Sequence, residues 1–157
     1  MLKIRLRDFL VTKDNWLFAV SDYFRSDGIR ANVVPELVNT DSRVRAIVKT
    51  LDLAGIPRTS MGVTGSMLAG LQNKSSDIDF VVYGPMWFRA RDAITAAKKQ
   101  EGPIEEIDEE MWQRIYRKRI PEISFDEFML HESRKGNRGM VEGTYFDLLF
   151  VREWDQI

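Results

Sequence analysis

The order of elements along this chain predicts an α/β (α+β) fold: a small mixed sheet flanked by helices, preceded by a three-stranded β meander. Three observations carry that expectation. Short apolar runs bounded by turn residues recur at 61–63, 77–83 and 144–151, as strands do. Between them lie stretches with apolar residues at helical spacing behind capping residues. The order strand, helix, later strand then suits an α/β sheet.

Residues 2–11 alternate Leu2, Ile4 and Leu6 with Lys3, Arg5 and Arg7 before reaching Phe9 and Val11, the pattern of a strand with one wet face. Residues 12–15 turn the chain, and 16–24, rich in aromatics and valine, form a second strand. An Asp27-Gly28 turn signal leads to a third strand over 29–34, stopped by Pro35. A three-stranded sheet needs a surface to pack on. Residues 1–36 are therefore expected as a β-meander extension of a core over 41–157. The meander is a structural extension, or it serves substrate docking or homo-oligomer assembly.

Thr40 or Asp41 caps a helix running to about Ala54, with Val44, Ile47, Val48 and Leu51 on one face and Gly55-Ile56-Pro57 ending it. A short apolar strand leads into the small-residue turn Thr64-Gly65-Ser66. A brief helical run over 67–71 follows, closed by polar 72–76. Residues 77–83 read as a strand ending at Gly84-Pro85. Residues 86–100 look helical, with Trp87, Ala90, Ile94 and Ala97 inward. The acidic stretch 101–110 reads as a solvated loop and helix start, in which Asp108 caps a helix over 109–118. Ser124 caps another helix from Phe125 to about Arg134, with Glu127 as its capping-box partner. Residues 134–139 form a basic, glycine-containing loop. Residues 144–151 then read as a strand with Asp147 inside an otherwise apolar run.

With 157 residues, 44% of them hydrophobic, the chain is long enough to bury a core. Its net charge of −1 gives no whole-molecule basic field for nucleic acid. The absence of cysteine excludes disulfides, thiolate metal sites and a cysteine nucleophile. The N-terminus lacks the apolar centre of a signal peptide, and no apolar run approaches a bilayer span, so the expected compartment is cytoplasmic. The single histidine, His131, cannot build a histidine-rich metal site. Arg114, Arg117, Lys118 and Arg119 suit a helix C-terminus for structural reasons. With Trp112 and Tyr116 interleaved, they are alternatively a polynucleotide-binding face.

The chemistry centres on Gly65-Ser66 and Asp77-Ile78-Asp79-Phe80. Two carboxylates two apart in a strand share a face, while Ile78 and Phe80 point into a core. Such a pair repels unless a cation sits with it, and hard Mg²⁺ takes oxygen ligands while leaving room for phosphates. Gly65 permits close approach to a phosphate. Ser66, at a helix start, offers a hydroxyl and free backbone N–H groups. A Gly-Ser pair on its own is otherwise an ordinary turn.

Gly65-Ser66, a ten-residue spacer and Asp77-Ile78-Asp79-Phe80 together resemble the signature of the polymerase-beta-type nucleotidyltransferase superfamily, although Thr64 stands where an apolar residue is usual. Residues 61–150 are similar to predicted, mostly archaeal nucleotidyltransferases of unassigned substrate. The resemblance implies the nucleotidyltransferase fold. It implies Asp77, Asp79 and Asp147 as catalytic and metal-binding residues for Mg²⁺ or Mn²⁺, with Asp147 as the third carboxylate. A salt-bridged edge aspartate is the alternative for Asp147. Gly65 and Ser66 would hold the triphosphate of an NTP, ATP by expectation, with Lys135 and Arg138 of the basic loop approaching triphosphate or nucleic acid. The implied reaction is NMP transfer to an acceptor hydroxyl of nucleic acid, protein or a small alcohol. The alternatives are a non-catalytic or antitoxin-like member acting through a protein partner, and a Mg²⁺-phosphate hydrolase whose first Asp is the nucleophile.

Overall fold

The computed structural model describes residues 37–68, 72–73 and 76–152. The expected meander over residues 1–36 lies outside them. Among the described residues, five strands form one mixed sheet: β1 (Met61–Val63), β2 (Ile78–Tyr83), β3 (Ile104–Glu105), β4 (Arg138–Val141) and β5 (Thr144–Val151), in the order β1-β2-β5-β4-β3. Only the central β2–β5 pair is parallel; the other three pairings are antiparallel.

Helices α1 (Ser42–Leu53) and α3 (Met86–Ala97) share one apolar cluster with the sheet. Asp41 caps α1, its carboxylate accepting from the backbone N–H of Arg43 and Val44, and Val44, Ile47, Val48 and Leu51 are buried. This is the face that the helical spacing selects. They meet Ile78, Phe80 and Val82 of β2 and Phe146 and Leu148 of β5. Full burial of a ring such as Phe80 or Phe146 contributes about 2–3 kcal/mol. The Trp87 indole donates to the Leu148 carbonyl at 3.0 Å, tying α3 to β5.

Helices α4 (Glu109–Arg119) and α5 (Phe125–Ser133) build a second apolar cluster. It joins Trp112, Ile115 and Phe128 to Met140 and Tyr145. Asp108 caps α4 at Met111 N, and Ser124 with Glu127 forms the expected capping box on α5. Strand alternation puts Tyr145 and Asp147 on the opposite face of β5 from Phe146 and Leu148. The α4–α5 side is therefore the side of the acidic residues.

Two expectations differ. Residues 104–105 and 138–141 are strands, whereas the residue pattern predicts a solvated loop and helix start over 101–110 and a basic loop over 134–139. Their brevity hides any period. Gly139 also misleads, because its glycine is a packing requirement inside a strand: a Cβ there would lie 2.9 Å from the Phe146 ring. Among the described residues, no helix is long and apolar enough to cross a membrane.

Candidate active site

Asp79 of β2 and Asp147 of β5 are partners in the parallel register. In-register residues of neighbouring strands point to the same face, so the two carboxylates are side by side. Asp77 sits just before β2. Burial pushes the Asp79 carboxyl above the usual carboxylate range, and the charges of Asp147 and then Asp77 push it further. Lys118, in the last turn of α4, partly offsets them. Among the described residues Lys118 has no ion-pair partner, so its charge faces this acidic group uncommitted.

Asp147 is differently placed. Its Oδ1 accepts from Asn137 Nδ2 at 2.8 Å and its Oδ2 from Arg138 Nε at 3.1 Å, with the Tyr145 hydroxyl more distant at 3.4 Å. Burial, and then the Asp147 charge, hold the Tyr145 phenol well above its ordinary value. Asp147 therefore has a built-in cation, whereas among the described residues Asp79 has no ion-pair partner.

Asp79 is pressed against the turn that precedes it in the chain. Gly65 has φ +63, and a Cβ there would come within 2.5 Å of Asp79 Oδ2. Only glycine allows both the conformation and the approach. Thr64 N donates to the Asp79 carbonyl at 2.9 Å, locking the turn to β2. Helix α2 (Gly65–Leu68) begins one residue before the expected start at Ser66. It is a single turn, so its dipole is small. Ser66 is partly exposed at its start.

The two basic residues singled out from 134–139 have separate surroundings. Lys135 is half-exposed and its ammonium lies 2.6 Å from Glu132 Oε1. Arg138 lies on β4 and not in a loop, and its side chain is 8% exposed between Glu132 and Asp147. Glu132 pairs with Arg138, and Asn137 holds Asp147, without a signal in the sequence. An i, i+6 acid–base pair straddling a helix end and a strand carries no periodic signal.

The donor chemistry suits a hard divalent cation. Asp79 is a desolvated carboxylate between two others, which an ion would stabilise. Asp147 keeps lone pairs beyond those that Asn137 and Arg138 use, since a carboxylate offers about four acceptor positions. Among the described residues, however, no group of three or more His, Cys, Asp or Glu forms a ready metal cluster.

The nucleotidyltransferase domain matches residues 41–135, more than half of the 157 residues. The chain belongs to this family. The resemblance to the polymerase-beta-type superfamily thus stands, and the mixed sheet with flanking helices is consistent with the family's fold. The chain is also 43% identical over 120 residues to the "Uncharacterized protein MJ1086" of Methanocaldococcus jannaschii, covering 74% of this chain and 35% of that one. It therefore spans about a third of the length of this relative. No solved structure matches it.

Proposed function

We propose that this nucleotidyltransferase-family chain moves an NMP from an NTP to an acceptor hydroxyl with Mg²⁺ or Mn²⁺. The observation that carries the reading is the side-by-side register of Asp79 and Asp147 opposite the Gly65 turn. Asp77 and Asp79 would hold the cation that accompanies the triphosphate, and Asp147 would join Asp79 at a second. Bound cations supply charge neutralisation on the triphosphate and a lowered pKa for the attacking hydroxyl. Ser66 and the Gly65 backbone orient the leaving pyrophosphate. Lys118 and Lys135 are the accessible cations for phosphate oxygens, while Arg138 acts on Asp147. The acceptor oxygen bonds to the α-phosphorus, the bond from that phosphorus to pyrophosphate breaks, and the hydroxyl proton leaves to water.

The test is to titrate Mg-ATP into the wild type and Asp79→Asn, then incubate both with each labelled NTP and a cell extract. Loss of binding and labelling in Asp79→Asn is expected. Equal binding and equal product in the two proteins reject the assignment.

A second reading is a non-catalytic member that works through a protein partner. The observation favouring it is that Arg138 and Asn137 already engage both oxygens of Asp147. An Asp147→Asn protein that labels its acceptor as well as the wild type would leave Asp147 structural. No labelling of any fraction by the wild type would favour the partner-binding reading.

A further inference from the structure

Glu132 and Arg138 form a buried ionic chain that ends on Asp147. Glu132, in the last turn of α5, is 7% exposed. Arg138 Nη1 donates to Glu132 Oε2, and Arg138 Nε donates to Asp147 Oδ2 at 3.1 Å. Two other cations reach Glu132: Lys135 Nζ at 2.6 Å and Arg119 Nη1 at 3.3 Å. Their side chains are 50% and 41% exposed, so water screens much of their charge. The Arg138 side chain is 8% exposed and is screened far less. One buried positive charge is thus divided between two carboxylates. The share that reaches Asp147 governs how much negative charge this residue has left for another cation.

We propose that Glu132 acts through Arg138 as a positioning relay that sets the orientation and cation affinity of Asp147, with Asn137 holding the other carboxylate oxygen. The relay rests on the reading of this site as cation-dependent. Its physical content is a pair of opposite effects. Neutralising Glu132 leaves the full Arg138 charge on Asp147 and weakens cation binding. Neutralising Arg138 frees Asp147 and strengthens it. Groups that only pack would lower stability in both cases without giving opposite signs in cation affinity.

The experiment titrates Mn²⁺ into the full chain, followed by electron paramagnetic resonance, with thermal melts alongside. The proteins are the wild type, Glu132→Gln, Arg138→Gln and Arg138→Lys. Partners behind metal ligands typically alter affinity by about tenfold or more. Glu132→Gln is expected to bind Mn²⁺ about tenfold more weakly and Arg138→Gln more tightly by a similar factor. Arg138→Lys keeps the charge, so its affinity stays near the wild type even where its melting temperature falls. Shifts of the same sign in Glu132→Gln and Arg138→Gln, or none in either, overturn the relay. If Arg138→Gln does not fold, an unchanged affinity in Glu132→Gln overturns it alone. Mn²⁺ bound by the wild type and equally by every variant defeats the relay only; a wild type that binds no Mn²⁺ defeats the cation-dependent reading with it.

Discussion

Asp79 and Asp147 are register partners in the parallel β2–β5 pair, yet of these two only Asp147 shares the Arg138 guanidinium. Asp79 therefore carries an ionisation cost in the folded state. Its carboxyl is raised above 3.8, so the folded protein binds this proton more tightly than the unfolded chain. The cost is present above the raised value and vanishes as the pH falls below that of the unfolded chain. Asp79→Asn should stabilise the cation-free protein at neutral pH by about 1 kcal/mol, as removal of functional strain often does. The advantage should close as the pH falls to about 3.5. Urea unfolding of both proteins at several pH values checks it, and a variant less stable than the wild type at neutral pH sinks it.

Gly65 and Gly143 allow the contact against Asp79 to be isolated. Both have left-handed backbones, φ +63 and +71, but a Cβ at Gly143 would meet nothing within 4 Å. Gly143→Ala should cost about 1 kcal/mol for the backbone alone. Gly65→Ala bears the same cost plus displacement of the Asp79 carboxylate, for a total of about 2–3 kcal/mol. It should also weaken Mn²⁺ binding, which Gly143→Ala leaves alone. Chemical denaturation and Mn²⁺ titration of the two variants make the comparison.

The part of the site built by β2, β5 and the Gly65 turn was legible from residue order, because apolar runs of six and eight residues interrupted by acids leave few alternatives. The α1, α4 and α5 caps were legible for the same local reason: Asp41, Asp108 and Ser124 each stand one residue ahead of a periodic face. Arg138 was not. Gly136 and Gly139, close on either side of it, suggest a loop. Its true neighbours come from α5 and β5, which the β4 pairing brings together through the register Arg138↔Asp147. Long-range pairing of a four-residue strand leaves no mark in local composition. The β3 pair at 104–105 escapes for the same reason, being too short to show alternation.

Asp41 should respond to pH in the opposite sense to Asp79. Its hydrogen bond from the Arg43 side chain is the main cause holding its carboxyl below 3.8, and the capping N–H groups of Val44 and Arg43 add to it. The folded state thus favours the ionised form. This stability is fully present above the unfolded-state value and is lost as the pH falls through the lowered one. Asp41→Asn keeps a capping oxygen but loses the charge. It should be less stable than the wild type by about 1 kcal/mol at neutral pH, with the gap narrowing in acid. Denaturant midpoints measured from neutral pH down to about 2.5 decide it. A gap that widens on acidification contradicts the assignment.

Ser124→Ala separates global stability from the ionic chain on α5. The Ser124 hydroxyl accepts from Glu127 N at 3.3 Å, and Glu127 Oε2 accepts from Ser124 N at 2.9 Å, closing the capping box. Losing that cap should cost about 1 kcal/mol. The loss falls on the first turn. Phe128, packed at 6.2 Å centroid distance against Trp112, stands between that turn and Glu132. Burial of Phe128 anchors the helix middle, so fraying at residue 124 should not reach Glu132. Ser124→Ala is therefore expected to melt earlier while binding Mn²⁺ as the wild type does. A parallel fall in Mn²⁺ affinity would mean that the α5 layer loosens as one unit, and that the affinity of Asp147 reports helix packing instead of the charge on Arg138.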